Sequence, residues 1–351
     1  MSPTNYNFAM ITLARENRGW TQKQLAEAIG VTQAIISKYE LGSVPPTDGN
    51  IGLIAKVLSF SIEFFKQPDQ VYALGSSLIF HRQRMQIPMR IQRRVQAEVN
   101  LRNIQISRLL RSVEIEHKFC PIPPEAERDN PERVARELRR IWGVSSGPIV
   151  DLTRIVENAG GIVIHVDFGT HLIDSAHLWV TGMPPVFFMN KLVPGERYRF
   201  SLAHEVGHAI MHHSSALDTD VEGEANLFAS EFLMPRAEIR SDLNFLTLES
   251  AARLKRIWKV SMQAIIMRAS SLRVLSESKK KRLFAAIGAM GYRVNEPWPI
   301  QLEEPETFSR LIDFNLNNLG VSQEEYYNHI MFTDKYGEIE YRPRLRLIGN
   351  F

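Results

Sequence analysis

The chain has 351 residues, 44% of them hydrophobic and 23% charged, with a formal net charge of +3. That length supports two or three domains with real cores, and the composition is that of an ordinary soluble protein. No apolar run approaches the roughly 20 residues of a membrane span, and residues 1–7 lack the charged-then-apolar pattern of a signal peptide, so no membrane partner and a cytoplasmic location are expected. A single cysteine, Cys120, excludes an internal disulfide framework and a thiolate metal cluster. A net charge of +3 does not by itself establish a nucleic-acid partner, so the local distribution of charge carries that question.

Residues 8–65 alternate short amphipathic segments with tight turns: FAMITLARENRG, TQKQLAEAIG, TQAIISKYELG and NIGLIAKVLS. Thr21 and Thr32 stand at N-cap positions, and Gly30 ends the second segment. A helix, a glycine turn and a second short helix make a helix-turn-helix, with Leu25, Ala26, Ile29, Val31, Ile36 and Leu41 expected in its core. Through Thr21-Gln22-Lys23-Gln24-Leu25-Ala26, Gly30-Val31-Thr32-Gln33 and Ile36-Ser37-Lys38-Tyr39-Glu40-Leu41-Gly42, the segment resembles the Xre/lambda-repressor-like family. The resemblance implies a five-helix domain that binds a double-stranded DNA operator. It sets the second helix of the motif in the major groove, so Gln33, Ala34, Ser37 and Lys38 face bases or phosphates, while Gln22 and Lys23 add backbone contacts. Such domains often bind as dimers, so a homodimer is one expectation, although no dimerisation helix can be chosen from the sequence.

Residues 69–130 are read as a helical connector. Arg82, Arg84, Arg90, Arg93, Arg94, Arg102, Arg108 and Arg111 lie on a helically spaced stretch with few acids; such a face either extends a DNA contact or bridges two domains as a solvated surface. A helix ending near Trp142-Gly143 follows, then one opened by Pro148 and closed by Gly160-Gly161. Residues 162–166 alternate as a strand, and 185–190 read as a second strand directly before the next helix.

Residues 200–213, FSLAHEVGHAIMHH, hold an H-E-x-x-H pattern. His204 and His208 are one turn apart on one helix face, so both imidazoles can reach a single metal ion. Chance alone produces this string in roughly one chain in a hundred of this length, so context decides. Tyr198, Phe200, Leu202, Ala203, Val206, Ala209, Ile210 and Met211 leave a polar stripe of His204, Glu205, His208 and His212 on an otherwise apolar helix. Burying those groups unpaired costs several kcal/mol, and metal ligation satisfies them. A zinc ion held by two histidines and a carboxylate keeps a position for water, and Glu205 can remove that water's proton.

The third ligand must come from a facing helix, and LDTDVEGEANLFASEFLMP offers carboxylates. Glu222 shares a face with Asn226, Ala229 and Leu233, whereas Glu224 aligns with Leu227, Phe228 and Glu231; Glu222 is preferred and Glu224 is the alternative. Asp218 and Asp220 read as loop or N-cap residues. His212 lies roughly 12 Å along the axis from His204, too far to share the ion, and takes a supporting or packing role. His213 reads as exposed. His165, His171 and His177 read as ordinary structural or surface histidines, any one of which could face an oxyanion.

Together, the run 199–208, the segment Glu222-Gly-Glu-Ala-Asn-Leu-Phe-Ala and Leu233-Met-Pro resemble the ImmA/IrrE family of metallo-endopeptidase domains, over roughly residues 77–294. The resemblance implies a zincin-like, gluzincin-type domain with a small sheet, in which His204, His208 and Glu222 bind Zn2+ (with Mn2+ as the alternative) and Glu205 is the general base. It also implies a protein substrate, a repressor or antitoxin whose cleavage switches on stress-response or mobile-element genes.

The expected fold is α+β and mostly helical, with a helix-turn-helix domain at 1–68, the connector at 69–130, the metallopeptidase-like domain at 131–292 and a region of unnamed role at 293–351. Within it, residues 236–275 read as a helical packing subdomain, and Ser276 with Glu277 starts another helix. The expected function is a transcriptional regulator with a zinc endopeptidase domain; the alternative is a non-cleaving transcription factor whose peptidase-like domain senses a ligand or binds a partner.

Overall fold

The computed structural model describes residues 6–72, 87–121, 130–212, 220–318, 320 and 322. The expectations for Arg82, Arg84, His213 and Asp218 fall outside these residues, as does most of the C-terminal tail. The described residues separate into two compact units, the first built from 6–72, 88–114 and 307–318 and the second from residues between 115 and 306.

The first unit opens with α1 (Phe8–Asn17), α2 (Gln22–Ile29), α3 (Gln33–Glu40) and α4 (Asp48–Leu58), closed by a 3-10 turn at Ile62–Lys66 that serves as the fifth helical element. Thr21 caps α2 through a full capping box with Gln24, and Gly30 ends it at φ +74, a left-handed conformation that glycine adopts without steric cost. Thr32 occupies the N-cap position of α3 without making a side-chain bond. Met10, Ile11, Leu25, Ile36, Ile54 and Phe64 form the core. Leu41, expected there, is instead 76% exposed, because α3 ends at Glu40 and the chain turns away past the last buried position.

Helix α5 (Met89–Leu109) completes this unit by packing along α1. Its Ala97, Leu101 and Ile104 enter the same core, which is why a helix read from its arginines as a connector folds with α1–α4. A final helix, Thr307–Asn318, rests on it, with the Asn315 amide donating to the Leu109 carbonyl at 3.1 Å.

The second unit starts with α6 (Pro131–Ile141), capped by Asn130, and α7 (Leu152–Asn158), capped by Asp151 rather than opened at Pro148. The sheet has three strands in the order β1-β3-β2, where β1 is Ile162–Val166, β2 is Ser175–Leu178 and β3 is Val186–Asn190. β1 pairs with β3 in parallel and β2 pairs with β3 antiparallel, with His177 opposite Phe187. The strand at 186–190 is therefore central and fully buried, and the two edges belong to β1 and to β2, the latter a strand absent from the sequence reading.

Helix α8 (Gly195–Met211) packs on β2 and β3 and against α9 (Val221–Leu233), followed by α10 (Arg236–Ile239), α11 (Leu248–Trp258), α12 (Met262–Ser271) and α13 (Glu277–Ala289), which Ser276 caps. Buried ion pairs stitch these layers. Lys255 on α11 meets Glu196 at 2.5 Å and Glu296 at 3.0 Å, Arg199 on α8 pairs with Glu303, and Arg268 on α12 pairs with Glu231. Residues 296–303 thus act as a strap on the α8–α12 layer, a role their sequence did not name.

In the first unit, Arg15 is buried and reaches Glu40 through Nε at 2.5 Å and Nη2 at 3.0 Å, while Gln22 donates to the same carboxylate at 2.8 Å. Removing one partner of a buried pair strands the other charge and costs about 3–5 kcal/mol. Glu40→Ala is predicted to reduce hydrogen-exchange protection across α1–α4 by that amount, and Arg15→Met with Glu40→Leu to lose less. Protection unchanged in Glu40→Ala would show that the pair does not hold this unit.

Candidate metal centre and nucleic-acid interface

His204 and His208 sit on the buried face of α8 and Glu222 on the first turn of α9. Their donor atoms all lie within 4.8 Å of one another. The two Nε2 atoms are 3.0 Å apart, and Glu222 approaches them at 3.6 Å from His204 and 3.1 Å from His208. Glu224 points elsewhere, to His212 Nε2 at 2.9 Å, so among the two carboxylates it is Glu222 that joins the imidazoles.

The neighbours of these imidazoles settle their tautomers. A carboxylate only accepts, so Glu224 fixes the proton of His212 on Nε2. Burial holds the His212 ring below its ordinary pKa, against the opposing pull of Glu224. The neutral ring then offers Nδ1 as an acceptor to His208 Nδ1–H at 2.9 Å, which makes Nε2 the lone-pair nitrogen of His208, facing His204 and Glu222. Asn226 Oδ1, 3.1 Å from His204 Nδ1, does the same for the other imidazole. Two lone pairs and a carboxylate converge in a buried space, and Glu222 Oε1 has no hydrogen-bond partner there. This donor set, nitrogen and oxygen with both second ring nitrogens anchored, suits a divalent cation such as zinc.

Glu205, adjacent in sequence, is outside the ligand group and has no exposed surface. Ser175 Oγ donates to its Oε1 at 2.8 Å, and His177 Nδ1 lies 2.6 Å from its Oε2. Full burial pushes this carboxyl up, but the His177 bond and the surrounding imidazoles outweigh it and hold it well below the usual carboxylate range. Ser175 and His177 are two residues apart on β2 and therefore share a face. Sequence reasoning placed His177 among ordinary histidines because the four-residue strand carrying it gave no periodicity of its own; the S-x-H spacing of Ser175 and His177 was the one available sign. Of the other histidines, His171 is exposed and His165 packs against Tyr198. Asp220 caps α9.

In the first unit, Gln33, Ala34 and Lys38 are exposed on α3, with Ser37 half-buried beside them, so the four residues expected to face DNA share one accessible surface. Lys23 is exposed beside Glu27 at 3.9 Å. Gln22 differs, because its side-chain amide is committed to Glu40; from α2 it offers its backbone N–H instead.

Residues 157–270 match the Peptidase M78 family, described as an IrrE N-terminal-like domain, and residues 11–65 match the helix-turn-helix family. The chain joins an Xre-type helix-turn-helix domain to an ImmA/IrrE-like domain. Among curated proteins, none matches it. The span of the ImmA/IrrE-like domain runs from just before β1 to α12 and includes every residue of the candidate metal centre, and that of the helix-turn-helix domain runs from α1 to the 3-10 turn. The chain is thus a DNA-binding regulator with a peptidase-like domain. No helix among the described residues is long and apolar enough to cross a membrane.

The tautomer chain predicts a graded response of the ImmA/IrrE-like domain to metal. Glu224→Leu and His212→Ala are expected to weaken Zn2+ or Co2+ affinity by about 10–100-fold, the usual effect of losing an outer partner, and Glu222→Ala by more. Chelator-competition titration measures this, and a Glu224→Leu loss as complete as that of Glu222→Ala would reverse the roles of the two carboxylates.

Proposed function

We propose that the ImmA/IrrE-like domain is a zinc-dependent endopeptidase that cleaves a repressor or antitoxin, in a protein that the helix-turn-helix domain holds on an operator. The observation that carries this reading is Glu205, a buried carboxylate that is no ligand, held beside the His204, His208 and Glu222 group by Ser175 and His177. A structural metal site has no use for such a group.

In this reading His204, His208 and Glu222 hold the ion, with manganese as the alternative occupant. Zinc, when bound, supplies Lewis acidity and brings the pKa of water to about 7. Glu205 takes the proton from the attacking water and passes it to the leaving amine. Ser175 and His177 fix the carboxylate's orientation, and each of its oxygens keeps a second lone pair for that proton. The outer edge of β2 pairs with no strand among the described residues, which suits a substrate bound as an added extended strand. On the DNA arm, Gln33 and Ser37 read base edges, and Lys38, Lys23 and the α2 N-terminus meet phosphates, with Ala34 packing on the groove.

A second reading draws on one observation: both oxygens of Glu205 are already engaged, as they would be in a domain that binds a partner without cleaving it. Glu205→Gln separates the two. For an endopeptidase, cleavage of co-expressed neighbouring repressors falls by about 10²–10⁴-fold while metal content is kept. If wild type and variant both bind zinc and DNA and neither cleaves any neighbouring regulator, the non-cleaving reading stands.

For the DNA arm, Gln33→Ala with Ser37→Ala is expected to weaken binding to the chain's own promoter by about 1–3 kcal/mol per lost base contact and to leave binding to random duplex nearly unchanged. Equal losses on both duplexes would contradict base readout.

A further inference from the structure

The first two turns of α5 stand outside the core of the DNA-binding unit. None of Met89, Arg90, Ile91, Gln92, Arg93 and Arg94 is buried; the buried positions of the helix begin at Val95. No acidic residue falls in its first turn. These turns lie against the bend that leads into α2. Arg90 Nε donates to the Gly19 carbonyl at 2.6 Å, and a Cβ on Gly19 would lie 3.6 Å from Arg94 Cδ. Three residues after Gly19, α2 begins at Gln22. The positive ends of two helix dipoles and the side chains of Arg90 and Arg94 therefore gather at residues 19–22, and Arg93, in the same turns of α5, reaches Glu16 just before the bend.

The acids nearby do not neutralise this cluster. Glu16 is shared between Arg15 at 3.4 Å and Arg93 at 3.9 Å, and Glu98, one turn further along α5, is taken by Arg102 at 2.9 Å and Asn17 at 2.7 Å. Arg93 keeps 58% of its side chain exposed, and Arg90 spends only Nε on Gly19, leaving its terminal nitrogens as donors.

We infer that Arg90, Arg93 and Arg94 form a second phosphate-binding surface, continuous with the N-terminus of α2, that extends the DNA footprint beyond the matched helix-turn-helix segment. The occupant is the sugar-phosphate backbone of duplex DNA flanking the site read by α3. These contacts add affinity without sequence preference, since arginines on phosphates carry no base information. The inference rests on the DNA-binding reading of the first unit and concerns residues that reading does not include.

The full-length protein is titrated with its own promoter fragment and with random-sequence duplex of equal length over a range of salt. Each phosphate neutralised contributes about 0.9 to the slope of log K against log salt. Arg90→Gln/Arg93→Gln/Arg94→Gln is expected to lower that slope by about 2–3 on both duplexes, whereas Arg90→Lys/Arg93→Lys/Arg94→Lys retains it. Lys281→Gln/Arg282→Gln, which removes exposed charge from α13, is expected to leave the slope unchanged. Hydrogen exchange across α1–α4 checks that the first unit stays folded, and the lysine variant gives the same comparison with the charge intact. A slope unchanged in the glutamine variant, or a drop equal to that of the α13 variant, overturns the inference while leaving DNA binding in place. Failure of the wild type to bind either duplex overturns the DNA-binding reading and this one with it.

Discussion

A helix sunk in the core cannot leave a buried polar side chain unpaired, and α8 carries six of them, Glu196, Arg199, Ser201, His204, Glu205 and His208, with His212 buried at its C-cap. Water is not available to them, so each must find a partner on another element, and each unpaired group would cost on the order of 1–3 kcal/mol or more if charged. Those partners are what arrange the second unit. Glu196 draws in Lys255 of α11, Arg199 draws in Glu303 of the strap, Ser201 meets Asp174 ahead of β2, Glu205 takes Ser175 and His177 of β2, and His204 and His212 reach Asn226 and Glu224 of α9. The sheet, the facing helix and the strap are tied to one cylinder by its own unmet valences.

The same demand separates support from chemistry along that helix. Its first two turns use strong ion pairs with Lys255 and Glu303, which fix position and leave nothing over. Its last two turns use imidazoles, which can satisfy one neighbour through Nδ1 and still present a lone pair from Nε2. A lysine or arginine in those turns would pair once and repel a cation. Histidine is the residue that can be both a strut and a ligand, and the outward anchoring of both rings makes the inward donor set specific.

Much of this was readable in the sequence. The H-E-x-x-H spacing, the apolar flanks of α8 and the face shared by Glu222, Asn226 and Ala229 announced a two-helix site, because helical period converts spacing into direction. The helix-turn-helix was equally plain from Thr21, Gly30 and the apolar positions between them. What sequence did not reveal has a common cause, which is contact between residues far apart. β2 is four residues long and gains its identity from β3, not from its own pattern. His177 looked ordinary because its partner is 28 positions away. The strap at 296–303 showed mixed charge with no period, since its order comes from meeting Lys255 and Arg199. The arginines of α5 hid an apolar face that belongs to the first unit, and Leu41 fitted a helical spacing one residue past the point where its helix stops.

Gly207 lies between the glutamate and the second histidine of the motif, where the pattern nominally accepts any residue. A Cβ there would meet Phe228 Cδ1 of α9 at 2.9 Å, and Phe228 is itself fully buried between the two helices. A hydrogen atom at this point lets the helix axes come close enough for a glutamate on one to join imidazoles on the other. The two variable letters of the motif are therefore unequal here. Val206 is a filler that another apolar residue of similar volume could replace, whereas Gly207 is a spacer of fixed thickness, and in this chain the pattern carries four specified letters where three are usually counted.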